Sequence, residues 1–490
     1  MATYKTPGVY VEEISTLPAS VAQVETAIPA FIGYTERASK KGENLTLKPT
    51  RIKSFPEYEE LFGGPEKETK YNVTVTDRVD DNNNVLSREL SVTEPAVADR
   101  SKYQMWYQMQ MYFANGGGPC YIVSVAGYSD GGVKKGELSD GLDSLKMEDE
   151  PTLILFPDAT KLAGVNAKSN FFDLYKSALD QCDLLKDRFT IIDTFNDEDS
   201  AVTDLRDKIG TNNLKYGAAY YPFLKTTLTY SFDEAGIKLK HNVFDPAAAA
   251  AFDADPNDPA GAPAEGDLHD TALNHTDVMD SQNALYNQIK GELNAMTITL
   301  APSSTVAGIY ARVDSDRGVW KAPANVSLTA VVKPSLKITN EDQENLNIDV
   351  TGGKSVNAIR SFTGKGILVW GARTLAGNDN EWRYVSVRRF YNMVEESVKK
   401  ATERVVFEPN DANTWIKSKA QIENFLNNLW RQGALAGAVP EQAFFVNVGL
   451  GQTMTALDIL EGRMIIEIGM AVVRPAEFII LRFSHKMQES

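Results

Sequence analysis

The spacing of hydrophobic and polar positions changes several times along the chain, and each change marks an element. Ala27-Ile28-Pro29-Ala30-Phe31-Ile32-Gly33-Tyr34 is an unbroken run of small and apolar residues, the pattern of a strand buried on both faces. Similar runs recur at 120–125, 151–157, 189–193 and 216–222. Between them lie stretches with helical spacing. One is 99–114, which Asp99 or Ser101 can cap and Asn115-Gly116-Gly117-Gly118-Pro119 ends; others are 170–185 and about 200–208. Strands alternating with helices predict an α/β layer. Residues 49–63 read as a strand leading into a short helix stopped by Gly63-Gly64-Pro65.

Two segments break the pattern. Residues 66–98 are polar, with Asp80-Asp81-Asn82-Asn83-Asn84 as a turn between two β-like runs, which predicts an inserted hairpin. Residues 225–280 are low in complexity and poor in large apolar groups, which predicts a surface insertion or long loop. Regular structure returns at 281–297 and 306–313, followed by a β-rich stretch at 326–350. The C-terminal part reads as strands 366–370 and 384–387, helix 388–402, helix 414–430, and strands 443–448, 463–473 and 476–483.

Both ends of the chain look like strands. Val9, Tyr10, Val11 and Ile14 lie in the first, and Phe478, Ile479, Ile480 and Leu481 make the second apolar on both faces. An apolar strand left on an edge aggregates. These strands therefore need a partner, either the chain's own domain or a neighbouring subunit.

A length of 490 residues predicts two to four domains. The net charge of −16 disfavours nucleic acid and anionic membranes as partners. It is unevenly spread: residues 354–490 carry +3 and the rest −19. Two cysteines suit a reducing compartment, and no secretory signal or apolar run of membrane-spanning length is seen, so synthesis in the cytoplasm is expected.

Catalytic patterns are lacking. His241, His269 and His275 sit in or beside the low-complexity acidic segment, match no metal spacing, and are expected to be solvated, as is His485. Gly352-Gly353-Lys354-Ser355 resembles the end of a phosphate loop, but Ile348 stands where its first glycine is required. No Gly-x-Ser-x-Gly elbow occurs. No cofactor, metal or catalytic residue is predicted. In the helix 414–430, Ile422, Phe425 or Leu426, and Leu429 face the core. Lys417, Lys419, Gln421, Asn424, Asn427, Asn428 and the following Arg431 point elsewhere. That face is either an ordinary solvated surface or a contact for an acidic partner. On the residues alone, a soluble α/β enzyme or binding protein with internally paired termini stays open.

The chain also resembles contractile tail sheath proteins of phages, R-type bacteriocins and extracellular contractile injection systems. The resemblance spans most of the sequence. It rests on Tyr4-Lys5-Thr6-Pro7-Gly8-Val9-Tyr10-Val11-Glu12-Glu13, Phe113-Ala114-Asn115-Gly116-Gly117-Gly118-Pro119-Cys120-Tyr121, Ala218-Ala219-Tyr220-Tyr221-Pro222, and Val306-Ala307-Gly308-Ile309-Tyr310. Further along it rests on Val369-Trp370-Gly371-Ala372-Arg373, Val406-Phe407-Glu408-Pro409-Asn410-Asp411, Leu429-Trp430-Arg431-Gln432-Gly433, and Arg474-Pro475-Ala476-Glu477-Phe478. The inserts near 66–98 and 225–280 depart from it. The resemblance implies a multidomain sheath fold: an N-terminal arm at 1–22, an outer domain at 23–350, an inner tube-facing domain at 351–473, and a C-terminal arm at 474–490. It implies stacked hexameric rings around an inner tube, arms joining neighbouring copies, and baseplate and cap proteins at the ends. It implies contraction driven by two packings of one sequence, without nucleotide, nucleic acid or membrane insertion. It also places Lys417, Lys419, Asn428 and Arg431 on or near a tube-facing helix. The type VI secretion sheath divides its pattern between two proteins, and one chain carrying both ends argues against it.

Overall fold

The structure, a computed structural model, describes residues 21–96, 99–129, 131–256 and 259–482. They fall into two compact units. The larger comprises Ala27–Asp316 and Ala322–Val385; the smaller comprises residues 21–26, 317–321 and 386–482.

In the larger unit the five apolar runs are strands: β1 (Pro29–Gly33), β2 (Cys120–Ser124), β3 (Leu153–Leu155), β4 (Phe189–Ile192) and β5 (Gly217–Tyr221), buried at every position. All are parallel, and Phe31 stands beside Ile122 on one side and Leu155 on the other. β6 (Val356–Phe362) adds parallel to β5, and β7 (Gly366–Val369) antiparallel to β6. Val326–Ser327 and Thr50–Ile52 close the two edges of the nine-stranded sheet. The first five strands lie in the order 2-1-3-4-5, a doubly wound arrangement.

Helices cover both faces, which is why the strands carry no polar alternation. Met105, Met109 and Tyr112 of α1 (Met105–Ala114) pack with Phe31, Ile122 and Leu155. On the other face, Phe171, Phe172 and Tyr175 of α2 (Ala167–Leu185) pack with Ala30, Ile32 and Ile154. Val306, Ile309 and Tyr310 of α3 (Ser303–Arg317) join the α1 side. The first helix starts at Met105, later than its pattern suggests. Neither Asp99 nor Ser101 caps it; the Asp158 carboxylate accepts the Gln104 and Met105 N–H groups at 2.5 and 3.0 Å. At its other end the Asn115 side chain bonds Met111 O and the Thr329 N–H. Gly116 takes φ +100, so the glycine run is a helix-to-strand turn.

The two insertions form one structure. Asn72–Val79 and Val85–Thr93 make the expected hairpin. Leu239–Phe244, from the second insertion, pairs parallel to Asn72–Val79, and Ala264–Glu265 extends the sheet. Tyr71, Val73, Val75, Leu239 and Leu285 share a separate core beneath it. His241 is therefore buried, not solvated. Its Nδ1 accepts the Leu268 N–H, which leaves the ring proton on Nε2, 3.1 Å from the Asp77 carboxylate. Arg88 binds the same carboxylate with both Nε and Nη2 at 2.6 Å. His269 and His275 keep substantial exposure, and His485 lies outside the described residues.

Two boundaries differ from expectation. The larger unit runs past residue 351 to Val385, because β6 and β7 hydrogen-bond into its main sheet. The strand expected at 384–387 is the start of a helix, α4 (Val385–Thr402), where burial of Val385 and Val387 overrides their β preference. Lys354 is buried, with its N–H on Asp349 and its ammonium on Arg206 O. Those bonds close a loop and leave no phosphate cradle at Gly352-Gly353-Lys354-Ser355.

Asp193, just past β4, is fully buried and accepts the Ser303 N–H at 2.9 Å, fastening the start of α3. Burial pushes its carboxyl up to about 7 from 3.8. Between these values the folded chain holds a proton that the unfolded chain releases, so stability falls as pH rises through this window. Lowering the pH from about 8 to about 5.5 should stabilise the larger unit by about 2 kcal/mol through this group. Asp193→Asn should lose that part of the gain in urea unfolding; an unchanged pH profile would refute it.

Candidate assembly surfaces

The smaller unit is built around α4 and α5 (Ala412–Arg431), whose Phe390, Met393, Val394, Ile422, Phe425, Leu426 and Leu429 form its core with Val21 and Val319. The segment leading out of the N-terminal region is fastened to it. The Val24 N–H donates to Ser397 Oγ at 3.1 Å, and Arg389 Nη2 donates to Thr26 O at 2.8 Å. Asp411 caps α5 through the Asn413 and Thr414 N–H groups.

Capping and core contacts fix which way α5 faces. Lys417, Asn428 and Arg431 are exposed. At about 100° per residue they share a sector roughly 60° wide, opposite the buried stripe. Lys419 does not join them. It sits roughly half a turn away, beside the buried stripe and 3.6 Å from Glu423. Three of the four residues expected on the tube-facing helix thus form one polar face.

β8 (Phe444–Asn447) and β9 (Glu467–Met470) pair antiparallel, and no third strand joins them among the described residues. The chain continues from β9 through a bridge between Leu435 and Val472. Within the last strand expected from the sequence, residues 478–481 join no strand among the described residues. Phe478, Ile479, Ile480 and Leu481 are 67%, 78%, 77% and 72% exposed. Val9, Tyr10, Val11 and Ile14 lie outside the described residues.

One apolar surface was not singled out from the sequence. Val406 and Phe407 stand exposed, Phe407 at a φ of +71, beside a cleft of about 330 Å³ lined by Val405, Thr414, Met464 and Ile466. An aromatic residue at positive φ is a costly conformation that no sequence period reveals. Among the described residues, no group of three or more His, Cys, Asp or Glu could hold a metal, and no helix is long and apolar enough to cross a membrane.

Residues 377–486 match the family described as phage tail sheath C-terminal domain. The tail sheath protein of Burkholderia phage BcepMu is 29% identical over 140 residues, which span 28% of this chain and 29% of that one. The aligned region is thus under a third of that relative's length. Solved structures match over nearly the whole chain. A chain of the anti-feeding prophage (AFP) baseplate is 31% identical, covering 99% of this chain and 100% of that chain with a TM-score of 0.62. The AFP helical sheath in its contracted state is 30% identical, with coverage of 99% and 100% and a TM-score of 0.62. The PVC sheath complex of an extracellular contractile injection system, also contracted, is 28% identical, with 99% coverage of each chain and a TM-score of 0.61. With the doubly wound larger unit, the smaller unit and both ends of the sequence pattern in one chain, this protein belongs to the contractile tail sheath family.

Proposed function

We propose that the chain is a sheath subunit that polymerises as stacked six-fold rings around an inner tube and drives that tube through a target envelope when the sheath contracts. The observation that carries this reading is the exposed apolar segment Phe478–Leu481, which joins no strand among the described residues. Such a segment fits a neighbour's sheet edge, where main-chain hydrogen bonds supply connection and alternate side chains supply fit. The β8–β9 pair is the proposed receiver, because a two-stranded sheet is marginal alone and gains from added strands. The N-terminal segment with Val9, Tyr10, Val11 and Ile14 would act as the second arm. The energy for contraction would come from a difference in packing between two lattice states, so no nucleotide and no catalytic residue is assigned. Other tail components, the baseplate and cap proteins, would bind at the sheath ends. Synthesis in a bacterial cytoplasm, then assembly into a phage tail or a released injection particle, completes the reading.

The α5 face is proposed to meet the tube. Lys417, Asn428 and Arg431 offer two cations and an amide on one stripe, suited to an acidic partner. Reversing Lys417 and Arg431 together to Glu should cut full-length sheathed particles in electron micrographs at least tenfold. Lys419→Glu, off that stripe and already beside Glu423, should reduce them far less. Equal effects of the two changes, or normal particles from the double variant, would remove the tube from this face.

A further inference from the structure

The larger unit carries a site that sheath assembly does not explain. In the order 2-1-3-4-5 the chain leaves β1 for β2 on one side and returns to β3 on the other. In doubly wound sheets, ligands bind beyond the carboxyl ends of the strands at this reversal, with anions held by backbone N–H groups at a helix start. Here the position is filled from within. Asp158 follows β3 and is fully buried. Its Oδ2 accepts the Tyr34 N–H at 2.8 Å, just past β1. Its Oδ1 accepts the Gln104 and Met105 N–H groups at the start of α1. The backbone makes room for it: a Cβ on Gly33 would stand 2.5 Å from Asp158 Oδ2 and 2.8 Å from Met105 Sδ.

We propose that the chain keeps the oxyanion site of a doubly wound sheet and occupies it permanently with the Asp158 carboxylate. The side chain takes the place a phosphate or carboxylate ligand would hold. It ties the ends of β1 and β3 to α1 and closes the site to free anions. Three N–H groups converging on one buried carboxylate are more than a helix cap requires, since a cap serves one helix and this group also fastens a strand end.

Anion rescue of the full-length chain tests this. Asp158→Ala empties the site and should lower the thermal midpoint by about 5–10 °C. Sodium formate should recover about half of that loss, while sodium chloride at equal ionic strength should not, and formate should leave the unsubstituted protein unmoved. Asp158→Asn fills the same space but turns a donor toward the N–H groups. It should be destabilised and should not respond to formate. The proposal is overturned by an Asp158→Ala midpoint equal to that of the unsubstituted protein, or by formate acting equally on both. If Asp158→Ala does not fold, an Asp158→Asn protein of unchanged midpoint overturns it.

Discussion

Ending the chain after Glu477 should leave a folded, soluble subunit that builds no sheath. Val472 and the backbone of Val473 fasten this end of the described residues to the smaller unit ahead of the cut. Val472 packs on the core, and the Val473 N–H donates to Ala434 O at 3.2 Å. Beyond them, Phe478, Ile479, Ile480 and Leu481 are largely exposed, so their removal should move the thermal midpoint by no more than about 1–2 °C. Assembly is another matter. Burying four such side chains against a neighbour is worth about 4–6 kcal/mol, before any strand hydrogen bonds. That is a loss of about a thousandfold to ten-thousandfold in each subunit–subunit association. Every subunit of a helical lattice bears the same loss, so sheath should fall below detection. Circular dichroism and thermal unfolding of the truncated protein, with electron microscopy of particles from cells carrying only that version, separate the outcomes. Normal sheathed particles would show the segment to be dispensable. A chain that no longer folds would show that the segment pairs within its own subunit. Removing residues 1–14 should act in the same way if they form the second arm.

What the sequence revealed and what it hid follow from the range of the interactions. β1 to β5 were legible because strands covered on both faces read as unbroken apolar runs, and no other short element looks the same between helical stretches. The orientation of α5 was legible from Ile422, Phe425, Leu426 and Leu429 at helical spacing, and the buried set agrees. The polar face was only partly legible. Lys417 and Lys419 look alike in a list of basic residues, yet two positions along a helix is about half a turn. The pairing of Asn72–Val79 with Leu239–Phe244 was not legible, because nothing within either segment names a partner more than a hundred and fifty residues away. The burial of His241 follows from that pairing and was missed with it. The start of α1 was hidden for the same reason: its cap, Asp158, comes from a strand end fifty-odd residues downstream.

Arg188 should be the most costly single side chain to remove from the larger unit. It is 1% exposed and stands immediately before β4. Its Nε and Nη2 grip the neighbouring Asp187 carboxylate at 2.7 and 3.0 Å. Nη1 donates to Leu145 O at 3.0 Å, and Nη2 to Glu148 O at 2.7 Å. One guanidinium therefore neutralises a largely buried carboxylate and bonds the carbonyls of Leu145 and Glu148 at the two ends of the turn at Leu145–Met147. Arg188→Ala strips all three acceptors at once and leaves Asp187 charged without its partner. Breaking a buried pair from one side costs about 3–5 kcal/mol, most of it the penalty of the stranded charge. Asp187→Leu combined with Arg188→Met removes the charge as well as its partner, so only the two carbonyls are left short. The double variant should therefore recover about half of the loss, since a buried pair replaced by apolar groups is often near neutral. Urea unfolding of the single and double variants measures this directly. Equal losses in the two would mean that the carbonyl bonds, not the ion pair, hold this corner. Because Arg188 lies in the interior, particles assembled from whatever variant protein still folds should have normal sheath geometry, which separates this effect from the loss of the C-terminal segment.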